Sequence, residues 1–343
     1  MAIKRVSIEE FVSLAASLPI FDVRSPGEFV HAHFPNAINL PLFTDEERKV
    51  VGTAYKQKGK QQAIKLGLNY FGPKLSNIIS MVESSCKTTP SKILIHCWRG
   101  GMRSGGVAWL LDLYGFEVYV LSGGYKAFRN WVLSVFQKPH QVRILGGYTG
   151  SAKTAALNEL KHQQPIIDLE GIANHKGSAF GGINQPPQPT QEMFENMLAL
   201  EINQQQGVFW MEDESQRIGK LNIPPPLWQT MRSSPVFFLD IPFEERLHYI
   251  LEGYGGLNIE KMIEAVERIQ KRFGPLETKT AIAFLQAGAI KEAFSLLLKY
   301  YDRQYSKSLQ NRTNLQSLLH KISLPTTSPK QNAAAIIKEI QLL

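Results

Sequence analysis

The sequence predicts an α/β protein: two parallel-sheet domains in succession, with a mainly helical carboxyl-terminal region. Three observations carry that expectation. Short apolar runs alternate with helical patterns in the first half, and the same alternation restarts after the polar, proline-containing stretch 137–141. From about Asn258 onward the apolar residues fall instead at helical period. A chain of 343 residues with 43% hydrophobic content can bury a full core, and its length favours two domains over one.

In the first domain, expected over residues 1–138, the runs 19–23, 92–96 and 118–121 read as strands. Strands separated by helices imply a parallel sheet covered on both faces. The second, over 139–257, begins with strand 142–145 and helix 152–162, followed by strands 165–169, 208–211 and 236–241. Beyond it Ile263, Val266 and Ile269, then Ala293, Leu296, Leu297 and Tyr300, recur at period 3.6, so 258–343 is expected as helices attached to the second domain. Prolines at 186, 187 and 189 and at 224–226 mark rigid loops.

The formal charge of +8 is uneven, because residues 1–140 hold seventeen Lys and Arg against ten Asp and Glu. Residues 48–74 carry seven basic side chains and no acidic one, and residues 268–312 carry nine basic against three acidic. Such tracts attract a polyanion or keep a surface solvated. No apolar stretch approaches the roughly 18 residues of a membrane span, and the first residues lack a signal-peptide core, so a cytoplasmic location without a membrane partner is expected. Two cysteines, Cys86 and Cys97, are too few for a disulfide framework or a cysteine metal site, and no permanent metal is expected.

Cys97 follows an apolar strand and precedes Trp98, Arg99, Gly100, Gly101 and Met102, with a helix starting near Arg103 and Ser104. Backbone N–H groups curling round the sulfur, the helix N-terminus and Arg103 favour a thiolate, and the same nest holds a tetrahedral oxyanion. Cys97 is therefore the candidate nucleophile and Arg103 its catalytic partner. Five residues separate the two, which is a wide, phosphate-sized cradle. Its thiolate could carry sulfur or selenium, or attack a phosphoester as a cysteine-dependent phosphatase does. Cys86 lies in a polar stretch without such a loop.

Gly147-Tyr-Thr-Gly-Ser-Ala-Lys-Thr154 matches G-x-x-x-x-G-K-[ST] except at Ala152, between a strand and a helix. Gly147, Gly150, Ser151, Lys153 and Thr154 are the expected phosphate or diphosphate ligands, with Thr154 able to ligate Mg²⁺. Use of ATP or GTP stays open. Asp213, just past strand 208–211, is the preferred carboxylate for that Mg²⁺. Between them, the segment with Asp168, Glu170 and His175 reads as a substrate loop.

Phe21-Asp-Val-Arg-Ser-Pro-Gly-Glu-Phe29, His33-Phe-Pro-Asn-Ala-Ile-Asn-Leu-Pro41 and the Cys97 loop resemble the rhodanese family, with Asp22, Arg24 and Glu28 as scaffold ties. Together with Asp168–Gly171, Asn174–Gly181, Glu212–Ser215 and the P-loop, they make the whole chain similar to the bacterial tRNA 2-selenouridine synthase family, a rhodanese-like domain followed by a P-loop NTPase-like domain. The resemblance implies a transferase that converts wobble 2-thiouridine to 2-selenouridine in the tRNAs for lysine, glutamate and glutamine. It implies selenophosphate as selenium donor, a geranyl diphosphate co-substrate, and a selenophosphate-producing enzyme as partner. The alternatives are the phosphatase, a nucleotide-switched RNA-binding protein without catalysis, and a P-loop kinase on a rhodanese scaffold.

Overall fold

The computed structural model describes residues 3–86, 92–254 and 258–342. The expected division at 257, like the outermost residues 1, 2 and 343, lies outside them. Contacts divide the chain into two compact units, Met1–Val135 with Glu195–Met197, and Phe136–Phe194 with Leu198–Leu343.

In the first unit, β1 (Lys4–Val6), β2 (Ile20–Asp22), β3 (Ile38–Asn39), β4 (Lys92–His96) and β5 (Glu117–Leu121) form one sheet in the order β1-β5-β4-β2-β3. All its pairings are parallel. After their first residues β4 and β5 are buried at every position, as strands covered on both faces must be. One core beneath the sheet gathers Phe21, Val23, Leu40, Ile93, Ile95, Val107, Leu111 and Val118 around Cys97. Asn36 takes φ 66° in the turn before β3, a left-handed conformation that asparagine tolerates better than most residues.

In the second unit β6 (Val142–Gly147), β7 (Ile166–Ile167) and β8 (Phe209–Glu212) precede a short antiparallel hairpin of β9 (Arg217–Ile218) and β10 (Leu221–Asn222). β11 (Val236–Asp240) and β12 (Leu319–Ser323) complete a second parallel sheet, ordered β12-β11-β6-β8-β7. Helices Ile259–Phe273, Pro275–Gln286 and Ile290–Gln310 build a separate apolar cluster around Met262, Val266, Leu285 and Leu297.

The carboxyl-terminal region departs from expectation in one respect. It is not helical throughout: β12 pairs with β11 from Leu319 to Ser323 and supplies the edge of the P-loop sheet. Only Ile322 of β12 is buried, because an edge strand faces solvent along one side, and the segment therefore shows neither alternation nor an apolar run.

Candidate functional site

β4 delivers Cys97 at its carboxyl end, and helix Met102–Tyr114 begins at Gly101. Between them the backbone doubles back against the turn after β5. Tyr125 N–H donates to Cys97 O at 2.8 Å and Lys126 N–H to Trp98 O at 3.0 Å. Two glycines make this approach feasible: Gly100 (φ 62°) would set a Cβ 2.5 Å from Leu121 O, and Gly124 (φ 62°) one 2.4 Å from Cys97 O. A side chain at either position would drive the loop off its support. Arg5 Nη1 holds Gly100 O at 3.0 Å.

Cys97 Sγ lies 3.2 Å from Ser104 Oγ. Burial pushes the thiol up, but the Ser104 hydroxyl, the backbone N–H groups of Ser104 and Arg99 and the Arg103 charge outweigh it, and the thiol stands below its ordinary value. Arg103 acts here through its field. Its guanidinium is engaged by Glu28, with Nη1 and Nη2 donating at 2.7 and 3.4 Å. Burial works against the Glu28 carboxylate, yet Arg103 holds it down at about 2. Behind the loop, Arg24 forks onto Asp22 and donates to Ala32 O at 2.7 Å, with its guanidinium 3.8 Å from the Tyr125 ring centre. Of the rim, Trp98, Arg99, Gly101 and Met102 are exposed, whereas Gly100 and Ser104 are buried.

In the second unit β6 runs into the P-loop, and helix Lys153–Leu160 follows Ala152. Gly147 (φ 150°), Gly150 (φ 82°) and Ala152 (φ 54°) bend the loop. Ser151 is 1% exposed and its Oγ has no hydrogen-bond partner among the described residues. A buried hydroxyl without a partner is costly, and an anion in the loop would supply one. Lys153 Nζ donates to Gly147 O at 2.9 Å, and Tyr305 Oη accepts from Gly147 N–H at 3.2 Å.

Asp213, the preferred carboxylate for Mg²⁺, is engaged by other partners: Tyr305 Oη donates to it at 2.6 Å and Arg312 Nη2 at 2.5 Å. Glu170 is the carboxylate bonded to Thr154, accepting from its Oγ1 at 2.7 Å. Glu214 lies beside Glu170, and burial together with the Glu170 charge pushes it well up against the pull of Lys153. Asp168 caps helix Leu169–Ala173 through Gly171 N–H at 2.7 Å. Glu212, the buried last residue of β8, accepts from Leu169 N–H at 3.0 Å, and burial with the charges of Asp168 and Glu170 drives its carboxyl well above the usual range. His175 is half-buried with Nδ1 unpartnered, and burial lowers its pKa. No cluster of three or more His, Cys, Asp and Glu among the described residues is arranged for a metal ion. Thr154 and Glu170 are the pair that could hold Mg²⁺, whose remaining positions water and phosphate oxygens commonly fill.

Sequence reasoning passed over Glu214 and Glu212 in favour of the aspartate between them, and missed Tyr305 and Arg312. The first two flank the aspartate it chose, and a strand continuing through Glu212 is the signal that could have separated them. Tyr305 and Arg312 reach the P-loop side from far along the chain and leave no local trace.

No helix among the described residues is long and apolar enough to cross a membrane. A family model for a rhodanese-like domain matches residues 7–130, and one for the tRNA 2-selenouridine synthase AAA domain matches 140–321. The chain is similar to the tRNA 2-selenouridine synthase of Sulfurovum sp., with 35% identity over 86% of this chain and 90% of the relative. It is also similar to those of Nitrosomonas europaea, at 36% over 79% and 72%, and Hydrogenovibrio crunogenus, at 37% over 84% and 80%. With both halves matched in order and relatives aligned along most of their length, the chain belongs to the tRNA 2-selenouridine synthase family.

Proposed function

We propose that the protein replaces sulfur by selenium at C2 of wobble 2-thiouridine in tRNA, the lysine, glutamate and glutamine acceptors being its substrates. Sulfide is a poor leaving group. Alkylation of the thiocarbonyl sulfur at C1 of geranyl diphosphate, with diphosphate departing, converts it into a thioether sulfur. The selenium of selenophosphate then adds at C2, and geranylthiolate leaves with the electron pair of the broken C–S bond. Water takes the phosphoryl group as the P–Se bond breaks, so that phosphate is released and selenium stays on C2.

The observation that carries this reading is Cys97, an acidified thiol in a backbone nest, on a chain that also holds a P-loop with a buried, unpartnered hydroxyl at Ser151. The P-loop would hold the diphosphate, with Lys153 swinging from Gly147 O to the leaving charge. Mg²⁺, if bound at Thr154 and Glu170, would neutralise part of that charge. The Cys97 loop would receive the selenium donor. A phosphatase built on the same loop needs Arg103 to clamp the phosphate, and the Glu28 pair speaks against it. No step in this scheme requires ATP or GTP.

Two variants separate the half-reactions. Lys153→Ala should abolish formation of S-geranyl-2-thiouridine, and geranylation at the wild-type rate would remove the P-loop assignment. Cys97→Ser should geranylate normally but form no 2-selenouridine, and full selenation would remove the role of the thiol.

A further inference from the structure

The two basic tracts of the sequence have different fates in the fold. In the second, Arg312 is buried, ion-paired with Asp213 and bonded to Met231 O, and Arg268 donates to Ala179 O. The helix Ile259–Phe273, which carries Arg268, Lys271 and Arg272, also exposes Glu260, Glu264 and Glu267. That tract is partly structural and partly neutralised.

The first tract forms a helical hairpin, Asp45–Lys58 and Lys60–Phe71, turned at Gly59 with φ 83°. Ala54, Ala63, Gly67 and Phe71 anchor it, and a Cβ on Gly67 would already stand 3.3 Å from the Phe43 ring. Arg48 pairs with Glu28 and Lys74 with Glu47. Lys49, Lys56, Lys58, Lys60 and Lys65 are all exposed, and none has an ion-pair partner among the described residues. Interleaved with them, Tyr55, Ile64 and Leu68 are 48%, 39% and 57% exposed. The face is thus cationic, free of carboxylates on its outer turns, and interspersed with apolar surface.

The hairpin is also connected to the nucleophile. Arg48, in its first turn, and Arg103, at the Cys97 loop, share the Glu28 carboxylate at 3.5 and 2.7 Å. At the rim of that loop, Trp98 is 37% exposed beside an exposed Arg99. Lysines to hold phosphates and an aromatic ring to stack a base are the two components that single-stranded nucleic-acid surfaces combine.

We infer that the Asp45–Phe71 hairpin is the RNA-docking surface of the first unit, its lysines gripping tRNA phosphates while the Trp98 rim receives a base at the Cys97 loop. This rests on the tRNA reading above and adds where the RNA is held. An acidic protein or membrane surface would meet the same charges, but neither accounts for the aromatic rim beside the nucleophile.

The test is binding of unmodified tRNA to the full chain across a salt series. Replacing Lys56, Lys58, Lys60 and Lys65 by Gln keeps helix propensity and removes four charges. If these lysines contact phosphates, affinity at 0.1 M salt should fall by roughly ten- to a hundredfold, and the slope of log K against log salt should shrink by about 3. Replacing Lys271, Lys279 and Lys291 by Gln should leave both unchanged. Wild-type affinity and slope in the hairpin variant, or a loss confined to anionic phosphatidylserine vesicles, would overturn the inference. Should the quadruple variant melt early, Lys58→Gln and Lys65→Gln singly must each reduce the slope by about 0.8. A wild-type chain that binds no tRNA would instead refute the proposed function, so the two failures are distinguishable.

Discussion

Ala152 shows how one residue keeps the P-loop while departing from its motif. It holds φ 54° and ψ 34° where glycine is usual, and its methyl is accommodated at 5% exposure. The conformation costs about 1–2 kcal/mol for an L-residue, and the surrounding loop overcomes it. Glu212 is the second informative residue. Burial and two neighbouring carboxylates raise its carboxyl well above the usual range, so the fold favours its neutral form more than the unfolded chain does. Stability from it is full below the ordinary glutamate range and falls as pH rises from there towards the folded value. Glu212→Gln should therefore lose less melting temperature than wild type between pH 5 and pH 8, by ~2–4 °C for each kcal/mol of ionisation cost removed. Identical pH slopes for the two proteins would show that Glu212 ionises freely. Cys97, Lys153 and Thr154 stand out in the sequence because each sits in a short motif of defined spacing, although the spacing at Cys97 leaves its chemistry open between chalcogen transfer and phosphoester attack. The carboxylate that meets Thr154 was not: choosing among Asp213, Glu214 and Glu170 depends on where β8 ends and on what arrives from distant helices.

Helix Ile290–Gln310 and the residues just past it are the elements that tie the P-loop down. Tyr305 accepts from Gly147 N–H, Ser306 Oγ lies 3.2 Å from Tyr148 Oη, and Arg246 joins Thr149 O to Asp302 at 3.0 and 2.9 Å. Arg312 closes the set on Asp213, and its side chain is 0% exposed. Removing one partner of a buried pair leaves the other charge without compensation, at about 3–5 kcal/mol. Arg312→Ala should lose stability on that scale in urea unfolding, and a loss under 1 kcal/mol would show the pair to be ornamental to the fold. β2, β4 and β5 of the first sheet and β6, β7, β8 and β11 of the second could be read as apolar runs, the inner ones because parallel strands are buried on two faces. The edge strands β1, with one buried residue, and β3, with none, were not read. β12 could not, since its single buried residue, Ile322, carries no pattern, and its partner β11 lies some eighty positions earlier.

For the whole molecule, charge and motif order pointed to function while pairing decided which charges are available. The excess of basic residues in 1–140 was visible as composition, yet only the fold shows that the exposed hairpin lysines lack carboxylate partners among the described residues and that Arg312 is structural. Family membership follows from the two matched halves in sequence, and the proposed chemistry is the one the resemblance implies, supported by a thiol held below its ordinary value and a phosphate loop on one chain. The most direct measurement is mass spectrometry of nucleosides from 2-thiouridine-containing tRNA incubated with the protein, geranyl diphosphate and selenophosphate. S-geranyl-2-thiouridine should appear when selenophosphate is withheld, and 2-selenouridine when both are supplied. Unchanged 2-thiouridine with both co-substrates present, in a protein that binds the tRNA, would contradict the account.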